Sequence, residues 1–463
     1  MKYVVNEESL NMVANEIRTK SGHTASLRFP DEFASEIRGL TGGTVTPKDV
    51  NFFDWDGTLL HSYTAAEFAS AAYLPANPSH TGWTSHGWNW SLADAKAYAA
   101  AHGKLNIGQQ YTIDDGKTSI YITLQEGRTS PYLGLAINGT VHVDWGDGST
   151  SEMTGDSLQV NVYQQHEYAA PGDYVIRFWL DSDMQAATIQ RDPDNYFYLN
   201  ALLTGRVQKD AHENWDQNFP YRNAVRRVDV GANVRIGVLA FEGCYSMKNI
   251  MIPYGTDVLP GGCIGHCSVS CVVIPDGITE IDGAFIDDAC LDTVSLPNSV
   301  TVIGDSAFGD CTALQEIMVP DSVQTIEFEA FGGCERLRAV SLPRNIGETC
   351  DIAEGTYINC YSLAEIVIPA GTASIDAEAF RSCVSLSRVV IPASVEYIGA
   401  NAFRECLGLA YVRFESSTPP ELENVSAFEG PLRDYVIYVP AGSISAYTSA
   451  GYSNIPNATL EEY

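Results

Sequence analysis

The sequence predicts a multidomain, mainly β chain: a short N-terminal helical segment, a small α+β module, a β-sandwich and a C-terminal solenoid. Three observations carry this reading. A pattern of 22 or 23 residues recurs from about residue 223 onward. Two stretches between residues 141 and 180 alternate apolar and polar side chains around Gly-containing turns. The first 45 residues hold two short amphipathic helical patterns. At 463 residues the chain is too long for one ordinary core. The expected boundaries are 1–45, 46–115, 116–222 and 223–463, with a closing cap from about 415.

Composition narrows the function classes. Hydrophobic content of 45% and charged content of 18% fit a folded, soluble chain. No apolar run is long enough to span a bilayer. The opening MKYVVNEESLNMVANEIRTKSG has early acids and no continuous apolar stretch, so no secretory signal is expected. Synthesis in the cytoplasm, with residence there or in a larger particle, follows as the expectation. A net charge of −31 repels phosphate backbones and anionic lipid. Nucleic acid and membrane insertion are therefore not expected.

In the N-terminal segment Leu10, Val13 and Ile17 share one helical face. Pro30 opens a second short helix with Phe33, Ile37 and Leu40 inward. Two such helices cannot build a core alone, so they are expected to dock on another copy or a partner. The stretch LNMVANEIRTKSG … LRFPDEFASEIRGL resembles the N-terminal segment of tail-associated proteins of phages and prophages. That resemblance implies attachment to other virion proteins and a homo-oligomer.

The next module contains FFDWDGTLL, residues 52–60. An apolar run before Asp-x-Asp-Gly-Thr resembles the nucleophile loop of haloacid dehalogenase phosphatases, with Asp54 as nucleophile and Asp56 beside it. That chemistry also needs a parallel sheet of βα units, a phosphoryl-holding lysine and a further acidic pair for magnesium. The segment to residue 115 offers one full helix, SLADAKAYAAAH, capped by Ser91 and ended by Gly103. A small α+β module without catalysis is therefore the expectation. Trp83, Trp88 and Trp90 either pack its core or stack on sugar rings. The string FFDWDGTLLHSYT … LPANPSHTGW … GWNW also resembles a module that accompanies such repeats in phage tail proteins.

In the third region VHVDWGDGS and HEYAAPGDYVIRFWL read as half-buried strands around tight turns, shaped by Asp144 and Asp147 and by Pro171-Gly172. The W-G-D-G … H-x-Y-x-x-P-G-x-Y pattern resembles the PKD-type immunoglobulin-like sandwich over about 116–185 and implies a spacer or binding unit. Residues 186–222 are a connector without an assigned fold.

The repeats end in prolines at 253, 275, 297, 320, 343, 369 and 392, with one long spacing of 26. Each unit closes with L-x-x-V-x-I-P: two inward apolar residues, one outward residue, and a proline that stops the strand. No unit buries its apolar face alone, so the units must stack, about eight or nine of them at about 4.8 Å each. Cys244, Cys311, Cys334, Cys360, Cys383 and Cys406 share one column, too far apart for disulfides, and are expected to be reduced. Phe285 is followed by a stretched spacing to Cys290. Cys263, His266, Cys267 and Cys271 are dense enough to raise zinc, but two of them fit the repeat's own slots, so no metal and no cofactor are expected.

The A-F-x-x-C-x-x-L-x-x-V-x-I-P motif resembles the BspA-like leucine-rich repeats of bacterial surface and phage-encoded proteins, over about 223–463. FESSTPPELENVSAF and IYVPAGSISAYTSAGY look like the cap of such solenoids. The outward strand positions form two columns, Thr293, Glu316, Ala339, Glu365, Arg388, Tyr411 and Ser295, Met318, Ser341, Val367, Val390, Arg413. These are either a binding face or plain solvated positions. No G-x-S-x-G, H-E-x-x-H or G-x-x-x-x-G-K occurs, so no catalytic residue is expected. The leading expectation is a non-enzymatic phage tail-tip or fibre-associated protein that offers this face to a host glycan or protein. A bacterial surface adhesin is the alternative, and a phosphatase at Asp54 and Asp56 comes after it.

Overall fold

In the computed structural model the described residues are 45–180, 197–199, 221–231, 234–237, 239–256, 258–343, 351–431 and 433–463. The N-terminal helical segment, residues 1–44, and most of the connector lie outside them.

The α+β module is a four-stranded mixed sheet with two helices. Its elements are β1 (Val50–Phe53), β2 (Leu59–Tyr63), α1 (Ala65–Ala69), β3 (Trp83–Trp88), α2 (Leu92–His102) and β4 (Leu105–Ile113), with strand order β2-β1-β4-β3. Only the β1–β4 pair is parallel; β2 and β3 flank it antiparallel. Local chemistry fixes both helices. Thr64 and Glu67 form a capping box on α1, Ser91 accepts from Asp94 N at the start of α2, and Gly103 ends α2 in the left-handed region. Phe52, Phe68, Trp88, Trp90, Tyr98 and Ile107 make its core.

The third region is not a free-standing spacer. Strands β5 (Thr118–Leu124), β6 (Tyr132–Asp144), β8 (Gly172–Leu180) and β9 (Phe197–Leu199) lie on one connected path, and β7 (Thr150–Gln165) branches from it by pairing with β6. That path continues into β10 (Val225–Asp229), β11 (Val234–Ile236) and β12 (Asn249–Met251). The decisive strand is β10, which pairs antiparallel with β5 and parallel with β12, the next solenoid strand. One buried cluster runs unbroken from Ile120 to Ile455. The β-region therefore closes the first end of the solenoid, where an open coil would expose strand edge. Asp144 and Asp147 shape the turn as expected, accepting from Gly146 N and Ser149 N. Burial opposes ionisation of Asp147, but hydrogen bonds from Ser149 and His166 outweigh it and bring its carboxyl down to about 2.

In the solenoid the aromatic slot forms a spine. Phe285, Phe308, Phe331, Tyr357, Phe380, Phe403 and Phe428 stack face to face, with centroids 5.1 to 5.6 Å apart. The 26-residue unit does not interrupt it. The column cysteines donate to the aromatic-slot carbonyl of the preceding coil, as Cys311 does to Phe285 O at 3.2 Å and Cys334 to Phe308 O at 3.1 Å. The described cysteines are free thiols, and burial pushes Cys334 and Cys406 up to about 12. Cys267 belongs to this column, donating to Phe241 O at 3.2 Å.

One slot departs from the expectation. Asp288, not Cys290, follows Phe285 at the cysteine spacing, and it is fully buried while Cys290 is exposed. Asp288 Oδ1 accepts from Cys290 N at 3.3 Å, and Oδ2 has no partner among the described residues. Burial raises its carboxyl to about 7. The folded chain thus keeps this proton up to about pH 7, whereas an unfolded aspartate releases it near pH 4. Its contribution to stability is best below pH 4 and declines as pH rises to 7. Asp288→Cys, which restores the column residue, is expected to stabilise the chain by about 4 kcal/mol at pH 8 and far less at pH 4. Calorimetric unfolding of both proteins across that range checks this.

Candidate interaction face of the solenoid

The outward strand face is built by the prolines. Ile274 N bonds Ser295 O in the parallel ladder. The Ile274 carbonyl would next accept from residue 297, but Pro297 has no N–H. Each repeat-ending proline thereby frees the pre-proline carbonyl of the coil before it. Where proline is absent the ladder continues, and Glu415 N donates to Ile391 O at 3.0 Å.

The α+β module uses these freed acceptors. Asn89 Nδ2 donates to Ile274 O at 2.9 Å, Trp90 Nε1 to Leu296 O at 2.7 Å, and Tyr98 OH to Val319 O at 2.9 Å. Three successive coils are thus read by three donors from α2 and the turn before it. Closer to the first coil, Asp276 N donates to Gln110 Oε1 at 2.6 Å and Tyr254 N to Tyr111 O at 2.8 Å. At the other edge His102 pairs with Asp321 at 3.0 Å and Lys104 with Glu316. The fit needs glycine: a Cβ on Gly108 would lie 2.3 Å from Val273 Cγ1, and one on Gly57 2.6 Å from Cys271 Cβ.

A second lock joins all three regions. Arg227 of β10 forms a two-pronged bridge to the buried Asp229, at 2.7 and 2.8 Å. Its guanidinium lies 4.3 Å from the Trp55 ring centroid and 4.9 Å from that of Tyr121. Burial raises the Asp229 carboxyl, and the Arg227 bridge works against that rise.

This docking divides the two columns. Ser295 is fully buried and Met318 is 5% exposed, inside the module's own core, so neither faces solvent. Ser295 Oγ donates to Asn106 O at 3.0 Å. Thr293 is half-buried at the edge, and Glu316 is held by Lys104. Ala339 lies just beyond the module, exposed, with Ser341 half-buried beside it. Further on the face is open: Glu365 and Arg388 pair at 3.0 Å, Val367 is 80% exposed, and Arg413 caps the Tyr463 ring at 4.2 Å. The register carries the columns onward from Tyr411 and Arg413 to Val436 and Tyr438, which the sequence reading stopped short of. The Leu342 and Ile368 carbonyls, each facing a proline in the next coil, have no donor among the described residues.

The remaining candidates are structural. Trp88 and Trp90 are buried in the module core, which removes them from sugar stacking, and Trp83 leans on Trp55 at 5.0 Å. Both Asp54 oxygens are engaged: Oδ1 accepts from Tyr111 OH and Trp55 N, each at 2.9 Å, and Oδ2 meets His80 Nε2 at 2.8 Å. Asp56 holds the turn through Thr58 N. With β2 antiparallel beside β1, the parallel bowl of the phosphatase comparison is not built here. Among the described residues no group of three or more His, Cys, Asp or Glu is placed to hold a metal. Cys271 faces Gly57 of the module, whereas Cys267 points into the solenoid.

With this geometry in place the comparisons are direct. The BspA type leucine rich repeat region matches residues 217–335 and 282–410, in six copies. The solenoid is a BspA-type leucine-rich-repeat region. A leucine-rich repeat protein from Bacteroides ovatus ATCC 8483 is similar at 21% identity, covering 52% of this chain and 84% of its own, with a TM-score of 0.27. The T. pallidum leucine rich repeat protein TpLRR is 26% identical over 44% of this chain and 94% of its own, TM-score 0.28. A leucine rich cell surface protein from Faecalibacterium prausnitzii A2-165 is 20% identical over 50% and 83%, TM-score 0.26. No curated protein matches the chain.

Two substitutions probe the docking of the module on the BspA-type repeats. Trp90→Phe keeps an aromatic side chain but strips the donor from Leu296 O and leaves part of the buried indole site unfilled, and is expected to cost at least about 1–3 kcal/mol. Gly108→Ala is expected to lift the module, seen as faster hydrogen exchange in residues 271–319 while the exchange of residues 388–439 stays unchanged.

Proposed function

We propose that the protein is a non-enzymatic recognition component of a phage tail, in which the solenoid offers its uncovered strand face to a host-surface glycan or protein and the N-terminal segment engages other virion proteins. The observation that carries this reading is the division of the strand face. Its first half is spent on the chain's own module, and its second half presents Val367, Val390, Arg388 and Arg413 to solvent beside the half-buried Tyr411 and Tyr438. Tyrosine and arginine are enriched in the energetic centres of protein interfaces. Thr293, Ser295, Glu316 and Met318 belong instead to the internal contact, so the binding residues proposed are Ser341, Glu365, Arg388, Tyr411 and Arg413.

The bacterial-surface adhesin is the second reading, favoured by the BspA-type repeats themselves. Mass spectrometry of purified phage particles, set beside surface-shaved host cells, separates the two locations. For the face itself, the full chain is incubated with isolated bacterial cell walls. The double substitution Arg388→Ala, Tyr411→Ala is expected to weaken retention at least about tenfold with unchanged melting temperature. Equal retention of both proteins would remove the strand face from the function.

A further inference from the structure

A different edge of the solenoid carries a second surface. The residue after each column cysteine turns outward before the strand begins. In three successive coils it is apolar and exposed: Tyr361 at 42%, Val384 at 37% and Leu407 at 36%. The next outward positions in those coils are Ser362, Ser385 and Gly408, then Ala364, Ser387 and Ala410. None of these nine side chains is charged. The patch is bounded by Glu335, Arg336 and Arg338 in the coil before it and by Arg433 and Asp434 in the coil after it.

We infer that this neutral edge is where a second copy of the chain docks, with the two-fold axis crossing the Val384 coil along the strand direction. Charge argues for a copy. Two chains of net charge −31 repel over most of their surfaces, and a patch without charge is where they approach at least cost. The order of residues is also self-complementary. A two-fold axis at the central coil keeps each column over itself and reverses coil order. Val384 then meets Val384, Tyr361 meets Leu407, and the small Ser362 meets Gly408, leaving room for the tyrosine ring. The flanking arginines closest to the axis are already neutralised within the chain, Arg381 by Glu378 at 3.1 Å and Arg388 by Glu365 at 3.0 Å. The strand face stays outside the contact, so a dimer would hold two recognition faces at once. A patch of three coils is small, on the order of 400 Å² per copy, which fits a weak, reversible association.

Sedimentation velocity on the full chain from about 1 to 200 μM tests this, a range in which a weak, reversible dimer shifts with concentration. The wild type is expected to dimerise reversibly. Val384→Glu places two carboxylates against each other on the axis and is expected to weaken the dimer at least tenfold. Val390→Glu, on the strand face, is expected to leave it unchanged. Because position 384 is exposed, the melting temperature of the variant should match the wild type. A wild type that stays monomeric throughout, or a dimer insensitive to Val384→Glu, overturns the proposal. A dimer broken by Val390→Glu and not by Val384→Glu also overturns it and moves the contact to the strand face. The host-binding reading is measured separately, by cell-wall retention, and can stand or fall without it.

Discussion

The missing N–H of proline organises this molecule. A parallel ladder inside a sheet ordinarily satisfies every carbonyl from one neighbouring strand or the other. Here most coils end in a proline that cannot donate, so in those coils the preceding pre-proline carbonyl is left pointing along the rod. Buried acceptors without partners cost on the order of 1–3 kcal/mol each, so such a row must be wetted or filled. The α+β module fills part of it with an amide, an indole and a phenol. At the other end Tyr463 does the same, its hydroxyl reaching Phe414 O at 3.0 Å and its backbone N–H reaching Val439 O at 3.2 Å. The two ends of the described chain thus use one chemistry on one row of acceptors.

That constraint explains why the module is polar where it touches the rod. Strand β4 is buried along nearly its whole length, yet it reads Leu-Asn-Ile-Gly-Gln-Gln-Tyr-Thr-Ile. Gln110 meets the rod, accepting from Asp276 N, while Asn106 pairs with Asn51 and Gln109 donates to Ser85 and Gly87 within the module. Gly108 is equally specific, because Val273 occupies the space its side chain would need. The module is shaped to one stretch of coil.

Much of the rod was legible in the sequence. The period, the inward columns, the proline positions and the reduced cysteines follow from spacing alone, and the register of Arg388 over Tyr411 is as the columns require. What spacing could not supply was which outward residues stay outward. Ser295 and Met318 look like any solvated position until a module nearly two hundred residues upstream covers them, and nothing local to those strands announces it. Two signals were available and point the right way in retrospect: a strand with three buried polar residues needs polar partners, and a proline at most strand ends leaves acceptors. The Asp54 motif is locally ambiguous for the opposite reason. Its local pattern is that of a nucleophile loop, while its neighbours Tyr111 and His80, far along the chain, make it a hub of the fold. Asp288 was hidden by the pull of Cys290 two residues later; counting strictly from Phe285 would have found it.

The continuous β10 junction has a mechanical consequence. A stacked rod resists force through contacts between neighbouring coils, and a load on its free end can strip them singly. Coils nearest the carboxyl terminus are held by their neighbours, by the closing strand Ala458–Glu462 and by the Tyr447 and Tyr452 hydroxyls on Ser416 O and Pro420 O. Those between residues 225 and 321 are additionally sewn to a sheet on one side and clasped by a docked module on the other. Tension applied from the distal tip would therefore unravel the outer coils and then stall at the clasp, giving the protein an extensible end on a fixed root.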